Sequence, residues 1–137
     1  MNELFKKLNL KDQKEILVLN APPSFDAELA TLEGVRILHS MEQVEVIDFV
    51  LAFVTRQAQV NSLAARLFPK AHGDALVWFA YPKGTSKNYT CDFNRDTGWK
   101  TVEEAGYLGV RMVAIDPDWS ALRFRRKEYI KKLTRNW

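Results

Sequence analysis

The sequence has little of the residues that several protein classes require. A single cysteine, Cys91, cannot form an internal disulfide, which excludes a disulfide-rich secreted scaffold. No run of about 18 apolar residues is present, so no membrane-spanning helix is predicted. The amino-terminal residues are polar and lack the apolar core of a signal peptide, from which we expect a cytoplasmic protein. The two histidines lie far apart without Cys or His neighbours, and no metal site is predicted.

What is present fits one soluble domain. The chain has 137 residues, of which 47% are apolar and 27% are charged. A domain of this length buries roughly two-thirds of its unfolded surface and needs no disulfide or metal for stability. The basic residues are concentrated at one end. Residues 123–137 hold seven arginines and lysines and one glutamate, a local charge of +6 in a chain whose net charge is +3. Such a cluster attracts phosphate or acidic surfaces.

Apolar runs alternate with helix-like segments, which is typical of an α/β domain. In the first part of the chain we expect two short helices and two strands: helices over Glu3–Leu10 and Phe25–Leu32, and strands over Glu15–Asn20 and Val35–Leu38. The next segment has two interpretations. Its β-branched and aromatic residues indicate a buried strand over Val46–Thr55, and the alternative is a strand that begins nearer Phe49 after a helical turn.

The remaining elements follow in a regular order. We expect helices over Gln57–Leu67 and Gly98–Ala105, and strands over Ala75–Tyr81, Val110–Asp116 and Trp119–Arg125. This order predicts a single three-layer Rossmann-like α/β domain over residues 1–126. Its sheet is mostly parallel, and the last strand forms an antiparallel hairpin. Residues 127–137 are predicted to form a basic helical tail.

From Val46 onward, the order of strands and helices resembles the carboxyl-terminal half of the Rossmann-like methyltransferase fold, whose last strand is antiparallel. The first half resembles a shortened amino-terminal half of that fold. Three segments are similar to a small, uncharacterised bacterial family of unknown function: Val18–Pro22, Trp78–Gly84 and Asp116–Phe124. This resemblance implies the fold and brings with it no activity and no catalytic residue.

The sequence departs from methyltransferases where they bind their cofactor. Those enzymes resemble one another in a glycine-rich turn after the first strand, whereas residues 20–24 contain no glycine and two prolines, Pro22 and Pro23. Prolines remove backbone N–H donors and stiffen the turn. His39 and Ser40 stand where an acidic residue would hold a ribose. We therefore expect no S-adenosylmethionine bound in the usual way, and we predict no cofactor. A dinucleotide site is equally unsupported, since G-x-G-x-x-G is absent.

The loop after the Ala75–Tyr81 strand is the most suggestive feature. Open α/β sheets place ligands at the carboxyl ends of their strands, and this loop offers two lysines, hydroxyls and a flexible glycine. These groups suit a phosphate or carboxylate. We therefore predict a non-catalytic, methyltransferase-like domain that binds a small anionic ligand or a partner at this edge. The residues expected to converge there are Asn20, Thr55, Lys83, Gly84, Ser86, Lys87 and Arg95.

Two alternatives remain open. The basic end of the chain is a candidate surface for nucleic acid or an acidic partner, through Arg123, Arg125, Arg126, Lys127, Lys131 and Lys132. An enzyme of unrecognised type at the same sheet edge would need a general base. The candidates are Asp48, Asp96, His39 and Asp116, and no catalytic residue is assigned. A sheet edge near the Val35–Leu38 strand could pair with a second subunit.

Overall fold

The computed structural model describes residues 2–133 and contains one six-stranded sheet with short helices. The helices are α1 (Glu3–Lys7), α2 (Asp26–Leu29), α3 (Gln57–Leu67) and α4 (Lys100–Glu104). The strands are β1 (Glu15–Leu19), β2 (Arg36–Leu38), β3 (Ile47–Phe53), β4 (Ala71–Pro82), β5 (Tyr107–Ala114) and β6 (Trp119–Arg126). Single 3₁₀ turns lie at Pro23–Phe25, Met41–Gln43, Phe68–Lys70 and Lys127–Tyr129.

The sheet has the strand order β2-β1-β3-β4-β6-β5. The pairs β1–β2, β1–β3 and β3–β4 are parallel. The last strand in sequence, β6, lies between β4 and β5 and is antiparallel to both. The predicted fold class is thereby confirmed: a mostly parallel, Rossmann-like sheet with an antiparallel carboxyl-terminal strand. The hairpin is therefore joined to the sheet through β6, and β5 forms the edge of the sheet.

Buried residues form one cluster on each face of the sheet. On the first face, α3 packs through the apolar stripe Val60, Leu63, Ala64 and Leu67, and α4 packs through Val102. On the second face, α1 packs through Phe5, and the 3₁₀ turn after β1 packs through Phe25. The parallel strands β1, β3 and β4 are buried on both faces, which explains their nearly continuous apolar sequence.

Several element boundaries differ from the predicted ones. β3 follows a 3₁₀ turn at Met41–Gln43, as in the second interpretation of that segment, although the strand begins at Ile47. β4 begins four residues before the predicted start, with an irregular register between Ile47 and Phe49 of β3. The predicted Phe25–Leu32 helix is reduced to the four residues of α2.

The predicted helical tail differs from the structure over the residues that are described. Lys127–Tyr129 form a single 3₁₀ turn, and residues 130–133 form no helix. Isolated helices shorter than about 12–15 residues are marginal in water, and this segment lacks an apolar stripe to bury. The last four residues of the predicted tail lie outside the described residues. Within residues 2–133, no helix combines the length and hydropathy needed to cross a bilayer.

Candidate ligand site at the carboxyl edge of the sheet

The four strands β1 to β4 are parallel, so their carboxyl ends meet at one edge of the sheet. A loop of residues 83–99, which we call the edge loop, leaves β4 at this edge. Because β6 is antiparallel to β4, it begins at the same edge, and Trp119 pairs with Pro82. The start of the edge loop therefore lies beside the hairpin that connects β5 and β6.

Asp118 of this hairpin holds the first part of the edge loop. Its carbonyl oxygen accepts the Lys83 N–H at 2.8 Å. Its carboxylate accepts the Ser86 hydroxyl at 2.8 Å and the Asn88 side-chain amide at 3.2 Å. The Ser86 oxygen in turn accepts the Tyr89 N–H at 3.1 Å. These bonds fix the conformation of the loop, and they use the Ser86 hydroxyl for structure.

The second part of the edge loop is attached to the other face of the sheet. The Asp92 N–H donates to the Thr55 carbonyl at 3.3 Å, and the Asp92 carboxylate accepts the Gln57 N–H at 2.7 Å. This carboxylate therefore caps the amino terminus of α3, where backbone N–H groups lack helical partners. Phe93 and Trp99 are buried in the cluster that contains α3 and α4. The edge loop thus crosses from one face of the sheet to the other.

Beneath the edge loop is a cavity of about 280 Å³, which we call the edge cavity. Aromatic rings and small polar groups share its lining, and Lys83 is its only residue with a formal charge at pH 7, among the residues that the structure describes. The lining residues are Tyr81, Pro82, Lys83, Gly84, Ser86, Tyr89, Thr90, Cys91, Phe93 and Asn94. A mostly apolar wall with a few polar groups is typical of small-molecule sites.

Two titratable groups in the edge cavity are protonated at neutral pH. Burial raises the pKa of the Tyr81 hydroxyl to about 12. Burial also raises the pKa of the Cys91 thiol above its ordinary value. Desolvation disfavours the charged form of both groups.

The seven residues predicted to converge at this edge are divided by the structure. Lys83, Gly84 and Ser86 line the edge cavity together. Lys87 is exposed and does not line it. Arg95 lines a second, smaller cavity of about 140 Å³ beside α4, with Asp96 and Glu103.

The two remaining members of that set lie elsewhere on the edge. Asn20 is exposed and has a left-handed backbone, with φ of 59°. The Thr55 hydroxyl donates to the Gln59 side chain at 3.3 Å, so it belongs to the start of α3. Neither residue lines the edge cavity. The structure therefore brings three of the seven residues together at the edge cavity, and the contacts of Asp118 and Asp92 hold the two halves of the edge loop on opposite faces of the sheet.

The sequence did not indicate four residues that shape this site. Tyr89, Thr90 and Asn94 line the edge cavity, and Asp118 holds the loop from the hairpin. The Tyr89 ring lies on the Trp119 ring with centroids 4.9 Å apart. The only sequence signal for the first three is their position shortly after a predicted strand end. No local signal connects Asp118 with Ser86, which lies 32 residues earlier.

Each of the four candidate general bases has a polar contact outside the edge cavity. Asp48 pairs with His72 at 3.4 Å, and Asp96 lies 3.6 Å from Arg95. His39 Nδ1 lies 3.3 Å from the Val18 carbonyl oxygen.

The fourth candidate, Asp116, closes the hairpin turn. Its carboxylate accepts the backbone N–H groups of Asp118 at 2.8 Å and Trp119 at 2.9 Å. None of the four lines the edge cavity. Over residues 2–133, no three His, Cys, Asp or Glu side chains lie close enough to hold a metal ion.

The residues at the ends of β1 and β2 do not fit S-adenosylmethionine bound in the usual way. The turn after β1 contains buried Pro22 and no glycine, and its Pro23–Phe25 segment forms a 3₁₀ turn. Phe25 is buried there against Phe53, with ring centroids 5.0 Å apart. At the end of β2, the Ser40 hydroxyl oxygen accepts the Glu42 N–H at 3.3 Å, so it caps the following turn.

The structure divides the six predicted basic-surface residues into paired and exposed side chains, and Lys131 and Lys132 follow the last 3₁₀ turn. The Arg125 guanidinium forms a bidentate pair with Asp74, with N–O distances of 2.9 and 2.6 Å. Arg126 donates to the Tyr107 hydroxyl at 2.8 Å and to the Ala71 carbonyl at 3.0 Å. Arg123 is half-buried in the sheet. The exposed members of the set are Lys127, Lys131 and Lys132.

Comparisons with known proteins agree on the fold. No family model and no curated protein matches the chain. Among solved structures, the pyocyanin biosynthetic protein PhzM superposes with a TM-score of 0.55 at 13% identity, over 86% of this chain and 52% of that one. LepI in complex with SAM superposes with a TM-score of 0.53 at 13% identity, over 90% of this chain and 39% of that one.

The chain has a Rossmann-like methyltransferase fold. A structure described as a pericyclic reaction enzyme shares it, with a TM-score of 0.51 at 13% identity, over 90% of this chain and 39% of that one. The chain spans about half or less of the length of these three proteins. At such low identity the likeness shows the fold alone, and function has to be argued from the site.

Proposed function

We propose that this protein is a non-catalytic methyltransferase-fold domain that binds a small organic anion in the edge cavity. The observation that carries the proposal is the lining of this cavity: one lysine, hydroxyl and amide groups, and three aromatic rings. The Lys83 ammonium would neutralise a carboxylate or phosphate, and Thr90 and Asn94 would donate hydrogen bonds to it. The rings of Tyr89 and Phe93 would pack against the apolar part of the ligand.

A binding role without catalysis is supported by the protonation states in the cavity. Burial keeps Tyr81 and Cys91 neutral, and the carboxylates of Asp116 and Asp118 are engaged with the hairpin turn and the edge loop. A general base has to reach the proton that it removes and to have a pKa near the working pH. The lining contains no carboxylate and no histidine among the described residues, the groups that most often serve as general bases.

The choice of an anion is supported by charge. Among the lining residues, Lys83 has no carboxylate partner within residues 2–133, although its backbone N–H is held by Asp118. An ammonium group at the mouth of a partly apolar cavity is stabilised by a bound anion, since charge pairs are stronger where water is excluded. The residues at the ends of β1 and β2 argue against adenosylmethionine as that ligand, as described above.

The test uses two lysines of the same loop. We expect benzoate, as a probe with one ring and one carboxylate, to bind the parent protein in calorimetry, and Lys83→Ala to weaken binding about tenfold or more by removing a charged hydrogen bond. Lys87→Ala is the matched control because Lys87 is exposed outside the cavity, and it should bind like the parent.

Three results would contradict the proposal. One is equal weakening by both lysine variants, which would indicate a general charge effect. Another is tight binding of S-adenosylmethionine that Lys83→Ala leaves unchanged, which would place a ligand at the β1 and β2 edge. A third is the absence of any binding by benzoate, inorganic phosphate and their close analogues, since the edge cavity offers groups that suit carboxylates and phosphates.

A further inference from the structure

A row of opposed residues crosses the sheet and changes from apolar to basic at β6. In register, Val18 of β1 lies beside Leu51 of β3, and Leu51 lies beside Trp78 of β4. These three side chains are buried in the cluster that contains α1. The row continues to Arg123 of β6 and ends at Arg111 of β5. The same face of the sheet is therefore apolar under α1 and carries arginines beyond it.

A β-bulge in β5 places Arg111 in this row. Gly109 pairs with Phe124, but the next pair is Arg111 with Arg123, so Val110 is an extra residue. In a regular ladder Val110 would lie opposite Arg123, and Arg111 would lie on the other face of the sheet opposite Leu122. Bulges re-aim side chains in this way. The bulge thus brings two arginines together that an uninterrupted strand would keep apart.

This pair has no carboxylate in direct contact with it among the described residues, and the nearby Asp74 is hydrogen-bonded to Arg125. Like charges directly opposite one another in a sheet are destabilising. Within residues 2–133, neither arginine side chain forms a hydrogen bond or an ion pair, and the Nε of Arg123 is shielded from solvent. Burial lowers the pKa of Arg123, the charges of Arg125 and Arg111 lower it further, and the charge of Asp74 opposes them in part.

A third arginine of the same face extends the cluster. Arg125 lies two residues after Arg123 in β6, so its side chain projects from the same face. Both oxygens of Asp74 accept hydrogen bonds from Arg125, at 2.9 and 2.6 Å. The one carboxylate of this cluster is therefore already paired, and Arg111 and Arg123 keep an excess of positive charge. We call Arg111, Arg123 and Arg125 the arginine face.

We propose that the arginine face binds a phosphate group between Arg111 and Arg123, with Arg125 held alongside by Asp74. Guanidinium groups offer paired N–H donors whose spacing matches two oxygens of a phosphate, and a dianion would compensate both unpaired charges. The site lies on the strands of a sheet face, apart from the edge cavity, and it is independent of the function proposed above.

The first test compares exposed arginines. We expect inorganic phosphate and pyrophosphate to raise the thermal midpoint of the parent protein, and Arg111→Gln to weaken this binding about tenfold or more. Arg36→Gln is the matched control because Arg36 is an exposed arginine of β2, at the opposite edge of the sheet, and it should behave like the parent. The comparison is made in a Lys83→Ala background, in which the edge cavity has lost the ammonium group proposed to hold an anion, so that phosphate bound there does not obscure the effect of Arg111.

The same variants distinguish a free phosphate ligand from the phosphates of a nucleic acid. Binding of a single-stranded oligonucleotide that falls with salt and is lost in Arg111→Gln would support the site with a polymer as its source. Binding of the small phosphates alone would support it with a free ligand. Equal weakening in Arg36→Gln, or an unchanged phosphate effect in Arg111→Gln, would overturn the proposal.

A second variant tests the compensation of charge directly. Arg111→Glu places a carboxylate opposite Arg123, which should raise the thermal midpoint in phosphate-free buffer and abolish the further rise with phosphate. Because Arg111 is exposed on an edge strand, the substitution leaves the core intact. A midpoint that falls, or a phosphate effect that persists in this variant, would contradict a phosphate site between the two arginines.

Discussion

Trp78 and Trp119 are both buried on the same face of the sheet, but their indole N–H groups differ. Trp78 Nε1 donates to the Leu8 carbonyl oxygen at 3.0 Å and so ties β4 to the end of α1. Trp119 Nε1 is buried without a hydrogen-bond partner among the described residues. A buried N–H that is paired stabilises the fold, whereas an unpaired one costs free energy.

The same substitution at the two tryptophans measures this difference. We expect Trp78→Phe to lower the free energy of unfolding by about 1–3 kcal/mol more than Trp119→Phe, because it leaves the Leu8 carbonyl without its donor. Both variants lose similar ring volume, so the loss of packing is matched. Urea unfolding followed by circular dichroism gives the two free energies. Equal losses, or a greater loss at Trp119, would count against the hydrogen bond as the cause.

At the scale of elements, α3 depends on a residue outside its own segment. Its first N–H groups are satisfied by the Gln59 side chain, which accepts the Arg56 N–H at 3.1 Å, and by Asp92 of the edge loop. The hydrogen bond from the Gln57 N–H to the Asp92 carboxylate connects α3 with the edge loop, which lines the edge cavity. Helix and loop should therefore gain and lose order together.

Removal of this cap should affect both elements. We expect Asp92→Ala to lower the free energy of unfolding by about 1 kcal/mol, the usual cost of losing a helix N-cap. Faster amide hydrogen exchange is expected in the first turn of α3 and in residues 90–94. Asp92→Asn keeps an acceptor oxygen and should stay close to the parent in both measurements. Unchanged exchange in Asp92→Ala would show that the loop is held by its other contacts.

At the scale of the whole molecule, the last strand in sequence lies inside the sheet and not at its edge. β6 lies between β4 and β5, and it provides all of the strand pairing of β5. Its residues Ala121, Leu122 and Phe124 are buried in the two core clusters. The six-stranded sheet is therefore complete only when β6 has paired with both of its neighbours.

Two truncations separate this strand from the basic segment after it. A chain that ends at Asp118 lacks β6, and we expect it to show no cooperative thermal unfolding because β5 and half of β4 lose their partners. A chain that ends at Ile130 keeps the whole sheet and should unfold cooperatively with a midpoint within a few degrees of the parent. Near-ultraviolet circular dichroism reports fixed packing in both. Cooperative unfolding of the shorter chain would refute the central role of β6.

The sequence by itself determined the fold class and most of the elements. The apolar runs of β1, β3 and β4 and the stripe of α3 are patterns that can be recognised within a short stretch of sequence. The absence of glycine in residues 20–24 likewise follows from the sequence alone. Short elements such as α2 and α4 were placed less accurately, because tertiary contacts rather than helix propensity hold them.

Only the tertiary structure decided which polar residues meet. Lys83 and Lys87 are equivalent in the sequence, yet only Lys83 lines the edge cavity, because Asp118 bonds fix the loop from 32 residues away. Arg125 meets Asp74 across 51 residues, and one extra residue in β5 turns Arg111 toward Arg123. Such contacts depend on strand order and register, which non-local pairing sets and no local sequence pattern encodes.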